Sequence, residues 1–288
     1  MRPAQRPRRS GVNDMQVVQF SDPHIDLRFP HRAAALARAV THVNTMPAGP
    51  DAVLITGDCV EHGHPDEYAL FQDLLRPLRA PVFIVPGNHD DRAALLTLYP
   101  PPAPNLPGFL QYAVDDFPLR LIGLDTHRPG HGGGELDGAR LDWLEARLRE
   151  APERPTLLFM HHPPVRTGLH VMDGMDLRGR EALCDLLLDH PQVLRVVAGH
   201  LHMSLTAGFA HTTVMTCPGT DATLHPDLSR PAQLRVQRQP PMCLLHAWTP
   251  ETGLNSFTQV IAPAPWHPLF DGDRWHDFDP PHGPYLSL

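Results

Sequence analysis

The chain reads as an α/β protein: a four-layer α/β/β/α sandwich of two mixed β-sheets with helices outside. Three observations predict it. Short β-branched runs alternate with helical patterns, as the crossover units of a buried, largely parallel sheet do. A second group of strand-like runs follows without helices between several of its members, so hairpins and a second, partly antiparallel sheet are expected. At 288 residues, 42% apolar and 19% charged, the chain is long and apolar enough to cover both sheets.

The elements follow in order. Val17-Val18-Gln19-Phe20 is a strand, and residues 31–46 form a helix with Leu36, Val40 and Val43 on one face. Val53-Leu54-Ile55-Thr56 is the next strand. In the helix over 66–79, Leu70, Leu74, Leu75 and Leu78 align and Asp66 suits an N-cap. Val82-Phe83-Ile84-Val85 is the third strand, and 112–115 and 119–125 are strands of the second group. The helix over 137–150 gathers Leu141, Leu144 and Leu148, and the helix over 178–190 presents Leu183, Leu186 and Leu187. Leu157-Leu158-Phe159-Met160 and Val196-Val197 are strands, and 205–216, 242–248 and 256–261 complete the second group. Residues 226–241 read as loop. The expected organisation is a flexible leader over 1–14, a main domain over 15–225, and an extension over 226–288. The extension would complete the second sheet and supply a cap or an oligomer contact.

Composition narrows the partners. A net charge of −8 argues against a protein whose partner is a nucleic-acid backbone, because counterion-driven binding needs clustered Lys and Arg. The four cysteines, Cys59, Cys184, Cys217 and Cys243, show no C-x-x-C spacing, which fits reduced thiols and a cytoplasmic protein. Arg2, Arg6, Arg8 and Arg9 resemble the start of an export signal, but Met15 to Phe20 is too short for its apolar core. No run approaches the roughly 20 apolar residues of a membrane span.

Each of five strand-like runs ends in residues that ligate metals. In order these are Asp22-Pro23-His24, Gly57-Asp58, Gly87-Asn88-His89-Asp90, His161-His162-Pro163-Pro164 and Gly199-His200-Leu201-His202. Ligands of α/β sheets gather beyond the carboxyl ends of the strands, so carboxylates, an amide and imidazoles are expected at one edge. Singly the clusters are ordinary: Asp-Pro and Gly-Asp start turns, and a chain with 20 histidines places some near strand ends. Five in succession exceed what turns require and offer ligands for two metal ions.

This ordered set resembles the signature of the calcineurin-like metallophosphoesterase superfamily, over about residues 15–215. Gly87-Asn88-His89-Asp90-Asp91, Phe159 to Pro164, Trp143-Leu144-Glu145 and Pro218-Gly219-Thr220 resemble its bacterial glycerophosphodiesterase and class III cyclic-nucleotide phosphodiesterase branch. The resemblance implies the metallophosphoesterase fold. It implies one ion on Asp22, His24, Asp58 and His202 and a second on Asp58, Asn88, His161 and His200, with Asp58 bridging and His162 a structural neighbour. It also implies a homo-oligomer.

Two cations about 3.5–4 Å apart on a shared carboxylate trap a water, lower its pKa and clamp phosphorus. Two divalent ions against two aspartates and a bridging hydroxide leave roughly one positive charge, matching a singly charged phosphodiester. The absence of cysteine from the set points to Mn, Fe, Zn or Co. His89 has no metal role in the pattern and is placed to contact phosphate or protonate the departing alkoxide. Asp90 is placed to orient it or a ligand histidine, or to cap a helix.

Phosphoprotein phosphatases of the superfamily usually carry an arginine after G-D and a glutamate ending G-N-H-E. Here His62 and Asp90 stand near those places, which disfavours a monoester substrate. Glycerophosphodiesterase relatives often have a substrate-touching histidine after P-G-T. Here Asp221-Ala222 follows, then His225, expected with Asn88 and His89 to bind substrate. The expected activity is hydrolysis of small phosphodiesters, either glycerophosphodiesters or 3′,5′-cyclic nucleotides. The alternatives are a phosphomonoesterase or a non-catalytic scaffold, and a scaffold is disfavoured because no ligand is lost.

Overall fold

The computed structural model describes residues 14–229, 233–261 and 273. The leader expected over 1–14 lies outside the described residues except for Asp14, and so does almost all of the tail after 261.

Along the first half run β1 (Met15–Phe20), α1 (Pro30–Thr45), β2 (Ala52–Ile55), α2 (Pro65–Leu75), β3 (Val82–Ile84), α3 (Arg92–Leu98), β4 (Tyr112–Val114) and β5 (Arg120–Gly123). Next come β6 (Gly134–Glu135), α4 (Gly138–Glu150), β7 (Thr156–Phe159), α5 (His170–Asp173), β8 (Leu177–Arg178), α6 (Arg180–Leu188) and β9 (Val193–Ala198). The chain continues through β10 (Leu205–Phe209), β11 (Thr212–Thr216), β12 (Ala222–Leu224), β13 (Val236–Arg238), β14 (Met242–Thr249) and β15 (Gly253–Val260).

One sheet has the order β15-β14-β1-β2-β3 and the other β10-β11-β9-β7-β5-β4. In the first, β1, β2 and β3 are parallel, with Phe20 opposite Ile55 and Ile55 opposite Ile84. In the second, β5, β7, β9 and β11 are parallel and the edge strands β4 and β10 antiparallel. Both sheets are mixed, as expected.

Side-chain alternation builds the layers. Leu121, Leu157, Phe159 and Val197 join β1, β2, α1 and α2 in one core. Their neighbours Ile122, Leu158, Val196 and Ala198 face the other way, against Leu144 and Leu148 of α4 and Leu183 and Leu187 of α6. The second sheet is thus covered on both faces, which is why its strands read as continuous apolar runs.

Two expectations are corrected. The five ligand-bearing runs do not share one sheet: β1, β2 and β3 lie in the first, and β7 and β9 in the second. A parallel strand must be covered on both faces, and facing sheets with outer helices achieve this for all five. The C-terminal strands do not complete the second sheet either. β14 pairs antiparallel with β1, from Met15 opposite Trp248 to Gln19 opposite Leu244. The free edge of β1 would otherwise leave buried backbone groups unpaired, so the segment after 226 is integral to the sheet that carries Asp22.

α2 starts at Pro65, with Asp66 inside its first turn and not at the cap. The Glu67 carboxylate accepts from the backbone N–H groups of His62 (2.9 Å) and His64 (3.3 Å) instead. No helix among the described residues is long and apolar enough to cross a membrane.

Candidate metal centre

The loops leaving β1, β2, β3, β7 and β9 meet where the carboxyl ends of the two sheets converge. Asp22, His24, Asp58, His200 and His202 all take left-handed backbone, with φ of 52°, 44°, 49°, 69° and 51°. Such conformations cost non-glycine residues of order 1–3 kcal/mol each and persist only where the surroundings enforce them. Here the enforcement is close packing between loops. A Cβ on Gly87 would collide with Asp58, and one on Gly199 with Ser21 and Asp22, so glycine is what lets these loops touch.

Asp58 divides its oxygens. Oδ1 accepts from the His89 backbone N–H at 2.9 Å, while Oδ2 lies 3.4 Å from His24 Nε2 and 3.4 Å from His161 Nε2. His24 Nε2 is 3.0 Å from His202 Nε2, and His202 Nε2 is 3.4 Å from Asp22 Oδ1. Asp22 also accepts from the His200 backbone N–H at 3.1 and 3.2 Å. On the other side, His161 Nε2 is 3.1 Å from Asn88 Oδ1, and its Nδ1 donates to the Thr56 carbonyl at 2.7 Å. That bond leaves Nε2 as the ligating nitrogen.

These donors fit cations. Asp22, His24, Asp58 and His202 each offer a ligand atom within 4.8 Å of the others. A spacing near 3.4 Å is about what two ligands of one zinc-sized ion have at the tetrahedral angle. His200 Nε2 is buried with no hydrogen-bond partner. Burial lowers the pKa of His200 to about 3 and that of His202 to about 4, so both rings are neutral and carry free lone pairs. Burial also pushes Asp22 up to about 6. It opposes the charge on Asp58 and His161 as well. Even so, the pairing of those two holds Asp58 well below the carboxylate range and raises His161 to about 9. A cation bound between them would take the place of that proton.

A family comparison decides the class. The sequence model of the calcineurin-like phosphoesterases matches residues 15–204. The chain belongs to the calcineurin-like phosphoesterase family. It is 37% identical over 259 residues to a probable glycerophosphodiester phosphodiesterase GpdQ from Arcobacter nitrofigilis, covering 86% of this chain and 93% of that protein. It is 32% identical over 219 residues to the 3′,5′-cyclic adenosine monophosphate phosphodiesterase CpdA of Pseudomonas aeruginosa, covering 74% of this chain and 79% of that one. A dimetal phosphatase from Danio rerio shares the fold at 17% identity, with a TM-score of 0.64 over 86% of this chain and 99% of its own.

Around this calcineurin-like core the remaining residues sort clearly. Both ring nitrogens of His162 are engaged, Nδ1 by Thr126 Oγ1 at 2.8 Å and Nε2 by the Gly132 carbonyl at 3.1 Å, although the ring also clusters with His161 and His200 in a group that could hold an ion. His89 is part-exposed and lines a cavity of about 530 Å³ with His62, Asn88, Arg92, Leu96 and His127. Its Nδ1 lies 2.9 Å from the Glu61 carbonyl and 3.7 Å from the Glu61 carboxylate.

The expectation that Asp90 orients His89 is corrected. The Asp90 carboxylate accepts from the backbone N–H groups of Gly87 (2.9 Å), Cys59 (3.1 Å) and Val60 (3.4 Å) and from the Tyr68 hydroxyl (3.2 Å). It therefore buckles the loop after β3 to the loop after β2. The helix cap is Asp91, which accepts from Ala94 N–H at 2.9 Å. His225 is not brought to the cluster. It lines a separate surface cavity of about 420 Å³ with Met203, Leu205, Pro218, Gln237 and Met242.

Glu61 was not legible as a site residue. Its carboxylate stands 3.1 Å from His24 Nδ1 and accepts from Arg32 at 2.5 Å. Burial works against its charge, but His24 and Arg32 outweigh it and lower its pKa to about 2. The only sequence signal was a carboxylate three positions after Asp58.

Proposed function

We propose that the chain is a binuclear metal-dependent phosphodiesterase acting on small phosphodiesters, either glycerophosphodiesters or 3′,5′-cyclic nucleotides. One observation carries this reading: Asp58 Oδ2 is equidistant, at 3.4 Å, from imidazoles of two separate groups. Asp22, His24, Asp58 and His202 would hold one ion, and Asp58, Asn88, His161 and His200 the other, drawn from Mn, Fe, Zn or Co. Bound there, the ions supply Lewis acidity and an activated water.

The chain's own groups do the rest. Asn88 and His89 border the cavity that takes an organic substituent of the diester. His89 Nδ1 donates to the Glu61 carbonyl, which leaves Nε2 to protonate the departing alkoxide. The Glu61 carboxylate lies 3.7 Å from the same nitrogen. Glu61 also orients His24 from behind, as carboxylates commonly do for metal-bound imidazoles. The named activities of the Arcobacter nitrofigilis and Pseudomonas aeruginosa relatives support the two substrate classes.

Purified protein loaded with Mn²⁺ is assayed on bis(p-nitrophenyl) phosphate and p-nitrophenyl phosphate, then on cyclic AMP and glycerophosphoethanolamine. Faster turnover of the aryl diester is expected. Rapid cleavage of the monoester with the diester untouched overturns the proposal in favour of a phosphomonoesterase.

A further inference from the structure

A chain of polar side chains, buried at Gln19 and His246 and half-buried at Arg195 and Ser256, links the sheets just beneath the candidate metal centre. Gln19 of β1 and His246 of β14 are both 0% exposed, and Ser256 of β15 lies directly opposite His246. Arg195, on β9 of the facing sheet, donates to Ser256 Oγ at 2.7 Å. His246 places Nδ1 2.7 Å from Ser256 Oγ and Nε2 3.2 Å from Gln19 Oε1. Gln19 Nε2 donates to Thr56 Oγ1 at 2.9 Å and to the Ala198 carbonyl at 3.0 Å.

The donors run in one direction. An amide oxygen only accepts, so His246 carries its proton on Nε2, and Nδ1 accepts from the Ser256 hydroxyl. Burial, with Arg195 nearby, pushes the His246 pKa down to about 3, in keeping with the neutral ring this pattern requires. Apolar side chains would fill the space without desolvating polar groups, so stability alone does not call for the network.

Its ends explain it better. Thr56, which Gln19 grips, lies two residues before Asp58, and its carbonyl holds His161 Nδ1 at 2.7 Å. Ala198 lies two residues before His200, and Gln19 three before Asp22. We infer that Gln19 is a positioning residue. Its carboxamide, oriented by His246, locks the exits of β1 and β2 to the exit of β9. It thereby sets the spacing between the Asp22–Asp58 side of the centre and the His161–His200 side. This rests on the binuclear reading above.

The test is calorimetric titration of the metal-free full chain with Mn²⁺, alongside thermal unfolding. The variants are Gln19→Met, His246→Leu and the double variant, with Ser256→Ala as a milder probe should a single variant not fold. In the double variant the Gln19–His246 bond is removed from both ends, Ala198 O still accepts from Cys217 N–H, Thr56 Oγ1 still bonds Ser21, and the Ser256 hydroxyl that loses His246 is only half-buried and within reach of water. Its melting temperature should therefore recover toward the wild-type value. Affinity for the more weakly held Mn²⁺ should stay about 10–100-fold lower, the usual cost of losing a group that orients ligands. Ser256→Ala should show the same loss in smaller measure. If variants and wild type bind two ions equally tightly, the inference falls alone. A wild-type chain that binds fewer than two ions removes the binuclear reading and the inference with it.

Discussion

Asp58 and His161 meet Oδ2 to Nε2 at 3.4 Å although they leave different sheets, Asp58 after β2 and His161 after β7. Because the His89 amide already occupies Oδ1, Oδ2 is the atom left for sharing. Asp58→Asn preserves the size but removes the charge that both ion positions need. Its loss in metal affinity should exceed the roughly 10–100-fold typical of a residue standing behind the ligands. Elemental analysis of the purified variant, read beside its kcat, checks this; a full metal complement would contradict it.

His89→Ala should retain its metal, because the ring is hydrogen-bonded to the Glu61 carbonyl and only packs edge-on against the candidate ligand His24, with ring centroids 4.7 Å apart. Its kcat on an aryl diester should fall by about 10²–10⁴-fold, the range for losing a positioned proton donor. A diester with a better leaving group needs less protonation and should show a smaller deficit. An equal deficit across leaving groups would instead assign His89 to binding.

Asp90→Ala should act through the fold. Removing the carboxylate strands buried N–H groups of Gly87 and Cys59 together with the Tyr68 hydroxyl, at a cost of about 3 kcal/mol. Denaturant unfolding should register that loss. Activity should drop because the Asp58 and Asn88 loops come apart, yet the pH–rate profile should keep its shape. A displaced pH limb would return Asp90 to a role in proton transfer.

The convergence of the candidate ligands was legible in the sequence because each follows an apolar run, and a strand delivers its next residues to the sheet's end. The layering was legible for the same reason, since alternating strands and helices must bury both sheet faces. Strand partners were not. Nothing local in β14 tells that His246 will lie beside Gln19, far away in sequence, or that β1 will pair with a C-terminal hairpin. α3, with seven residues, is too short for a clear helical period. Glu61 and Arg32 look like ordinary surface charges until the fold sets both against His24. Asp90 misled because adjacency in sequence to His89 does not make a contact: successive side chains in a turn diverge, and this one points back to the β2 loop.

The pH dependence of stability offers a test of the buried polar chain that needs no metal. His246 has an ordinary pKa of 6.5 that falls to about 3 in the fold. Between those values the unfolded chain binds a proton at this ring and the folded chain does not. Stability therefore has its full value above about pH 6.5 and declines as pH falls toward 3, by about 1.4 kcal/mol per unit for one proton. His200 and His202 contribute with the same sign, so the wild-type slope alone does not isolate His246. His246→Gln does. Its carboxamide nitrogen donates to Gln19 Oε1 and its oxygen accepts from Ser256, which preserves both bonds without a titrating group. Urea unfolding of the metal-free proteins between pH 7.5 and 4.5 should show the variant's slope shallower by about one proton. Parallel curves would mean that His246 is not held neutral, and the direction of donation through Gln19 would have to be abandoned.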